Sequence, residues 1–260
     1  MPSSNGAARP CGTPGEGGRP GSAARSVPRT ARERARAEIT REILDAGRRH
    51  LATEGAAALS LRAVARDLGM ASSAVYRYVA SRDDLLTRLI IDAYNSLGAA
   101  AEAAEAAVER ADLAGRWSVI CQAVRGWALA NPNEHALIYG SPVPGYVAPA
   151  DTIGPASRVT DLLVQIVADA SARGIEIPAP ACAAVGSAGR AALAPVRAAL
   201  PAEVADAAIQ AGLMVWAGLL GTVSLELFGQ FENVIGTRPG DRDAYFAECV
   251  TRWAAQLGIG

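Results

Sequence analysis

The chain has 260 residues, half of them hydrophobic and only 5% aromatic, with a formal net charge of −1; it is long enough for a full core, and its Ala-rich apolar content favours helices. Four cysteines outside any C-x-x-C and two distant histidines, His50 and His135, exclude a clustered zinc site and suit a reducing cytoplasm, and no cofactor motif is found. The charge is uneven, with 15 Arg against 9 acidic residues over 1–88 and 10 Arg against 17 over 89–260, which fits either a polyanion partner for the front alone or two ordinary solvated surfaces.

Residues 1–30 are rich in Gly, Pro, Ser and Arg and are expected to form a disordered basic tail. Its Arg9, Arg19, Arg25 and Arg29 read first as a solvated tail, and otherwise as a basic arm that adds phosphate attraction or enters a minor groove. No continuous apolar stretch of the secretory kind is seen there. A first helix is predicted over 31–54, with Ile39, Ile43, Ala46 and Leu51 inward and Gly55 as its stop. Ser60 is the predicted N-cap of a helix over 61–68, where Leu61, Val64, Ala65 and Leu68 recur at i, i+3, i+4 and i+7. Gly69 ends it. A second short helix follows over 72–79, with Val75 and Val79 inward. Ser81 caps the next helix, Asp83 and Asp84 suit its first turn, and Leu85, Leu86, Leu89, Ile90, Ala93 and Leu97 repeat at helical spacing. An Ala/Glu stretch spans 99–110. A stripe from Trp117 to Trp127 runs to the break at Asn131-Pro132-Asn133. A short helix over 135–139, a Pro-rich loop over 141–152, and helices over 155–173, 180–199, 202–231 and 241–257 complete an all-α chain.

Two short helices with an inward apolar face and a glycine turn are the sequence form of a helix-turn-helix. Spacing alone admits an ordinary three-helix core more readily than a DNA-reading unit. The outward residues favour DNA: Ser72, Ser73, Tyr76, Arg77 and Tyr78 present hydroxyls, phenols and a guanidinium, the groups that bond phosphates and base edges. The segments Leu61-Arg-Ala-Val-Ala-Arg-Asp-Leu-Gly-Met and Ser72-Ser-Ala-Val-Tyr-Arg-Tyr-Val-Ala-Ser-Arg-Asp-Asp-Leu-Leu together resemble the N-terminal domain of the TetR family of bacterial regulators, over about residues 35–97. The resemblance implies a helix-turn-helix domain over 31–97 and a helical regulatory and dimerisation domain over 98–260. It implies a cytoplasmic homodimer that binds a pseudo-palindromic double-stranded DNA operator, most often as a repressor released by a small-molecule effector. By position, it implies DNA contacts for Arg62, Ser72, Ser73, Tyr76, Arg77, Tyr78 and Arg82, the last replacing the family's usual Lys beside the phosphate backbone. Ala71, Tyr78 and Val79 depart from the family's common Ser, His and Phe, so the sequence preference stays open.

In the second half, residues 207–225 are uncharged throughout. That length approaches a membrane span, but acidic Asp206 and Glu226 bracket it, basic flanks are missing, and Gly212, Gly218 and Gly221 suit close helix packing. The preferred reading is a helix buried between core and dimer interface, and the resemblance places dimerisation at about 202–257. Trp117, Trp127, Tyr139, Tyr146 and Trp216 are the aromatics available to line an effector pocket, although an aromatic on a helical stripe more often fills the core. The 127–152 segment resembles the WHG type of C-terminal domain, which names no effector. A hydrolase is disfavoured: Val185-Gly-Ser-Ala-Gly approximates a nucleophile elbow, but no strand precedes it and Ser187 has no paired base. A helical scaffold without DNA binding is the remaining alternative, opposed by the outward basic and phenolic set.

Overall fold

The computed structural model describes residues 30–176, 178, 185–198, 200–202 and 204–260, and every regular element among them is helical. The N-terminal tail expected to be disordered lies outside the described residues, apart from Thr30. Helix α1, Ala31–Glu54, begins with a reciprocal cap: the Glu33 amide donates to Thr30 Oγ1, and the Thr30 amide donates to the Glu33 carboxylate. It stops at Gly55, whose φ of 77° suits a residue without Cβ. A 3₁₀ turn over Ala56–Ala58 leads to α2, Leu61–Asp67. Ser60 stands at the N-cap but makes no side-chain cap bond. Gly69, with φ of 63°, turns the chain into α3, Ser72–Val75.

The expected helix over 72–79 is therefore α-helical for one turn only. Residues 76–78 continue as turns, with Arg77 and Tyr78 donating to the carbonyls of Ala74 and Val75. Helix α4, Arg82–Glu105, opens at Ser81, whose hydroxyl accepts from the Asp84 amide at 3.0 Å. The Asp84 carboxylate accepts in turn from the Ala80 amide at 2.7 Å. These bonds occupy donors that a helix start leaves unpaired. Ile43, Ala46, Leu61, Val64, Val75, Val79, Leu85 and Leu89 close the first core.

Helix α4 absorbs the first part of the Ala/Glu stretch and joins both halves. Leu85, Leu86 and Leu89 belong to the first core, while Ala93, Leu97 and Ala101 belong to a second. The domain boundary drawn after residue 97 thus falls inside a continuous helix. Helices α5, Leu113–Ala130, and α6, Pro132–Tyr139, flank the Asn-Pro break, with Pro132 at the first position of α6. Helix α7, Ile153–Ala172, follows the loop. The helix expected over 180–199 is replaced, in its described part, by α8, Ser187–Ala192, and α9, Ala194–Arg197. Pro195 sits in the first turn of α9, where its missing amide is tolerated, and it prevents α8 from continuing through. Ser187 opens α8, and the described residues just before it, Val185 and Gly186, are in no strand. Helices α10, Asp206–Leu227, and α11, Asp241–Gln256, complete the fold. Helix α10 packs on α5, α7 and α11. Gly218 lets the Trp253 ring lie against its backbone, since a Cβ there would meet the indole at 3.0 Å. Helix α10 is long and apolar enough to cross a membrane by length and composition. Its inner face, Val215, Leu219 and Val223, is core.

Candidate nucleic-acid interface

The α2–α3 pair is held from below by Leu61, Val64, Ala65, Val75 and Val79, all buried. This fixes what faces outward. Arg62, Arg66, Ser73, Tyr76 and Arg77 are exposed, and Ser72 is half-buried at the start of α3. Tyr76 keeps 49% of its surface open, a large value for an aromatic with a folded core beneath it. The side chains of Arg62, Arg66 and Arg77 make no hydrogen bond or ion pair among the described residues. Three unpaired guanidiniums, two hydroxyls and a phenol on one small surface can bond phosphate oxygens and base edges.

Two residues of the expected contact set stand differently. Tyr78 is half-buried on the first core, and the Arg36 guanidinium lies over its ring at 5.2 Å. Arg36 also donates to the Arg77 carbonyl at 2.9 Å, so α1 steadies the turn that follows α3. Arg82 is not a free cation. Its Nε donates to the Leu59 carbonyl at 3.1 Å, and its Nη2 to the carbonyls of Ala56 and Ala57 at 3.0 and 3.2 Å. Arg66 was missed by motif comparison alone. The signal was present in its spacing, one helical turn after Arg62.

The five aromatics expected around an effector do not converge on one cavity. Trp117 is buried in the second core and donates its indole N–H to the Val250 carbonyl at 3.0 Å. Trp127 donates to Ser96 Oγ at 2.9 Å. Both satisfy the requirement that a buried indole find an acceptor. Tyr139 and Trp216 meet edge to face at 6.4 Å, and burial holds the Tyr139 phenol well above its ordinary pKa. Trp216 also borders an apolar slot with Leu163, Val167, Val196, Leu200 and Ile209. Tyr146 stands apart, its hydroxyl 2.9 Å from that of Thr87 on α4, at the rim of a cleft between α4, α6 and the 140–149 loop.

Comparison with known proteins agrees with this geometry. Residues 43–89 match the family described as bacterial regulatory proteins, tetR family. Residues 117–253 match the tetracyclin repressor-like C-terminal domain. HTH-type transcriptional regulators of Mycobacterium tuberculosis and Mycobacterium bovis are 43% identical over 221 residues, covering 80% of this chain and 89% of theirs. The crystal structure of the regulatory protein SCO4313 superposes with a TM-score of 0.68 at 37% identity, over 86% of this chain and 98% of that one. A protein of unknown function from Rhodococcus sp. RHA1 superposes at 0.59 with 25% identity, over 85% and 93%.

Proposed function

Because the chain belongs to the TetR family of bacterial regulatory proteins and is a DNA-binding transcriptional regulator, we propose that it acts in the cytoplasm as a homodimeric repressor. In this reading it grips a pseudo-palindromic operator and is released by a small-molecule effector. The observation that carries the DNA part is the unpartnered outward set on α2 and α3. Ser72, Ser73 and Tyr76 enter or border the major groove, and Arg62, Arg66 and Arg77 bind phosphates. Tyr78 contributes through its partly exposed ring.

The dimer reading is supported by the outer face of α10. Leu213, Met214, Ala217, Gly221, Leu225 and Phe228 are all exposed and recur at helical spacing, and Met214 keeps 66% of its surface open. A stripe of this length on a monomer would leave a contiguous apolar surface in water. An isologous pair of such stripes removes it. The slot beside Trp216 has an almost wholly aliphatic lining, which suits an apolar effector.

The test is retardation of the DNA segment upstream of the chain's own gene over a salt series. The expected result is retardation that weakens steeply with salt and is abolished by Tyr76→Ala with Arg77→Ala. Unchanged binding by that double variant would sink the assignment of the reading face. Sedimentation at micromolar concentration checks the dimer. Met214→Arg with Leu225→Arg is expected to yield monomers, and a wild-type monomer would contradict the interface.

A further inference from the structure

Arg62, Arg77 and Arg82 are the basic side chains expected by position to contact DNA, yet Arg82 differs from the other two in what it touches. The planar guanidinium has five N–H donors in a rigid fork. In Arg82, Nε and Nη2 are committed to the carbonyls of Leu59, Ala56 and Ala57, and Nη1 lies 3.5 Å from the Asp83 carboxylate. The Ala56 carbonyl also accepts the Leu59 amide at 3.4 Å, the bond that closes the 3₁₀ turn over Ala56–Ala58, and the carbonyls of Ala57 and Leu59 stand where that turn ends. Leu61, two residues beyond Leu59, is the first residue of α2. Arg82 is itself the first residue of α4. One side chain therefore clamps the start of α4 to the segment that launches α2. Between those two points lies the whole reading unit.

We propose that Arg82 is a positioning residue of the DNA-reading unit, acting through the backbone carbonyls of Ala56, Ala57 and Leu59 and not as a phosphate ligand. The inference rests on the DNA-binding reading above. Its physical content is a matter of shape, not charge. A lysine at this place keeps the charge, but its single ammonium cannot span three carbonyls from two directions. A phosphate ligand would tolerate that exchange, whereas a clamp would not. The clamp also restrains α2 before DNA arrives, so that less ordering remains to be done on binding.

The experiment compares wild type, Arg82→Lys and Arg82→Gln in the full chain. The probes are a duplex of the DNA upstream of its gene and a scrambled duplex of equal length, each titrated over a salt series. Amide hydrogen exchange over residues 56–65 is followed in the absence of DNA. Both variants are expected to weaken upstream-duplex binding by roughly tenfold, about the loss of one charged hydrogen bond. The slope of log K against log salt is expected to stay at the wild-type value, and exchange over 56–65 to quicken in both. The slope does not depend on the fraction of active protein, so a partly unfolded variant still reports it. A slope reduced by about 0.9 per subunit in Arg82→Gln and restored in Arg82→Lys would identify a phosphate contact and overturn the proposal. Wild-type exchange and wild-type affinity in both variants would also overturn it, as would an affinity loss that vanishes after correction for folded fraction. Wild-type protein that retards neither duplex would overturn the functional reading itself, and the wild-type titration keeps that failure separate from the variants'.

Discussion

Arg62, Arg66 and Arg77 stand in solvent on the α2–α3 face without partners among the described residues, whereas every arginine after residue 88 is tied to a carboxylate or a backbone carbonyl. One residue type thus serves two ends. In the C-terminal half the acidic surplus consumes the guanidiniums, which fasten helices to one another. Arg116 joins Glu105 and Asp169, Arg125 joins Glu226 and Asp243, and Arg158 bonds Glu102 and Asn95. In the N-terminal half acids are fewer. Arg48, Arg49 and Arg88 find carboxylate partners, and the arginines left over among the described residues lie on the reading face and along α1, at Arg32, Arg34 and Arg41. The charge asymmetry is therefore a remainder of unpaired arginines, shared between α1 and the α2–α3 face.

The largest effect expected from breaking this contrast is at Arg125. Its guanidinium is buried, donates twice to the Glu226 carboxylate at 2.7 Å, and lies over the Phe246 ring. Arg125→Met leaves Glu226 buried and unpaired, which should cost about 3–5 kcal/mol in chemical denaturation. Adding Glu226→Leu should recover most of it, and a double variant no more stable than the single would refute a paired-charge account. On the reading face the same kind of truncation should do the opposite. Arg77→Ala is expected to leave stability within about 0.5 kcal/mol while lowering the salt slope of DNA binding by about 0.9 per lost contact.

A third effect is a pH dependence. His135 is 1% exposed, its Nε2 lies 3.0 Å from Ser224 Oγ, and the rings of Tyr139 and Phe228 pack beside it. Burial lowers its pKa below the ordinary 6.5. Below that value the unfolded chain takes up a proton that the folded state refuses, so stability falls as pH drops through about 6.5 towards the folded pKa. The carboxylates of Asp84 and Glu102, held low in balance by Arg88 and Arg158, act in a separate window below about pH 4. Denaturation midpoints between about pH 7 and 5 should therefore flatten in His135→Gln, and an unchanged profile would rule the histidine out as their source. A modest stability effect is expected where the halves meet. Tyr146→Phe removes the hydroxyl pair with Thr87 and should cost about 0.5–1.5 kcal/mol, read as a lowered midpoint with a normal far-ultraviolet spectrum.

Much of the fold was legible in the chain because it depends on local physics. The extent of α1, the cap at Ser81, the break at Asn131-Pro132 and the inward stripe of Leu61, Val64 and Ala65 follow from periodicity, capping and glycine or proline stops. The outward identity of Arg62, Ser73, Tyr76 and Arg77 follows from the same stripe, because fixing the buried face fixes its opposite. The roles of Arg82, Trp117 and Trp127 were not legible. Each is decided by an acceptor distant in sequence: Leu59 for Arg82, Val250 for Trp117, Ser96 for Trp127. Periodicity states which side of a helix is wet, but it does not state which carbonyl waits on the other side.

The sequence by itself thus determined an all-α chain and, through its motifs as well as its spacing, the helix-turn-helix and which residues of α2 and α3 face outward, since side-chain spacing along a single helix separates its buried face from its exposed one. Only the tertiary structure decided which arginines remain free to meet a polyanion and which are already spent on the protein. A guanidinium looks the same at every position of the chain, and its partner is chosen by what folding brings within about 3 Å of it.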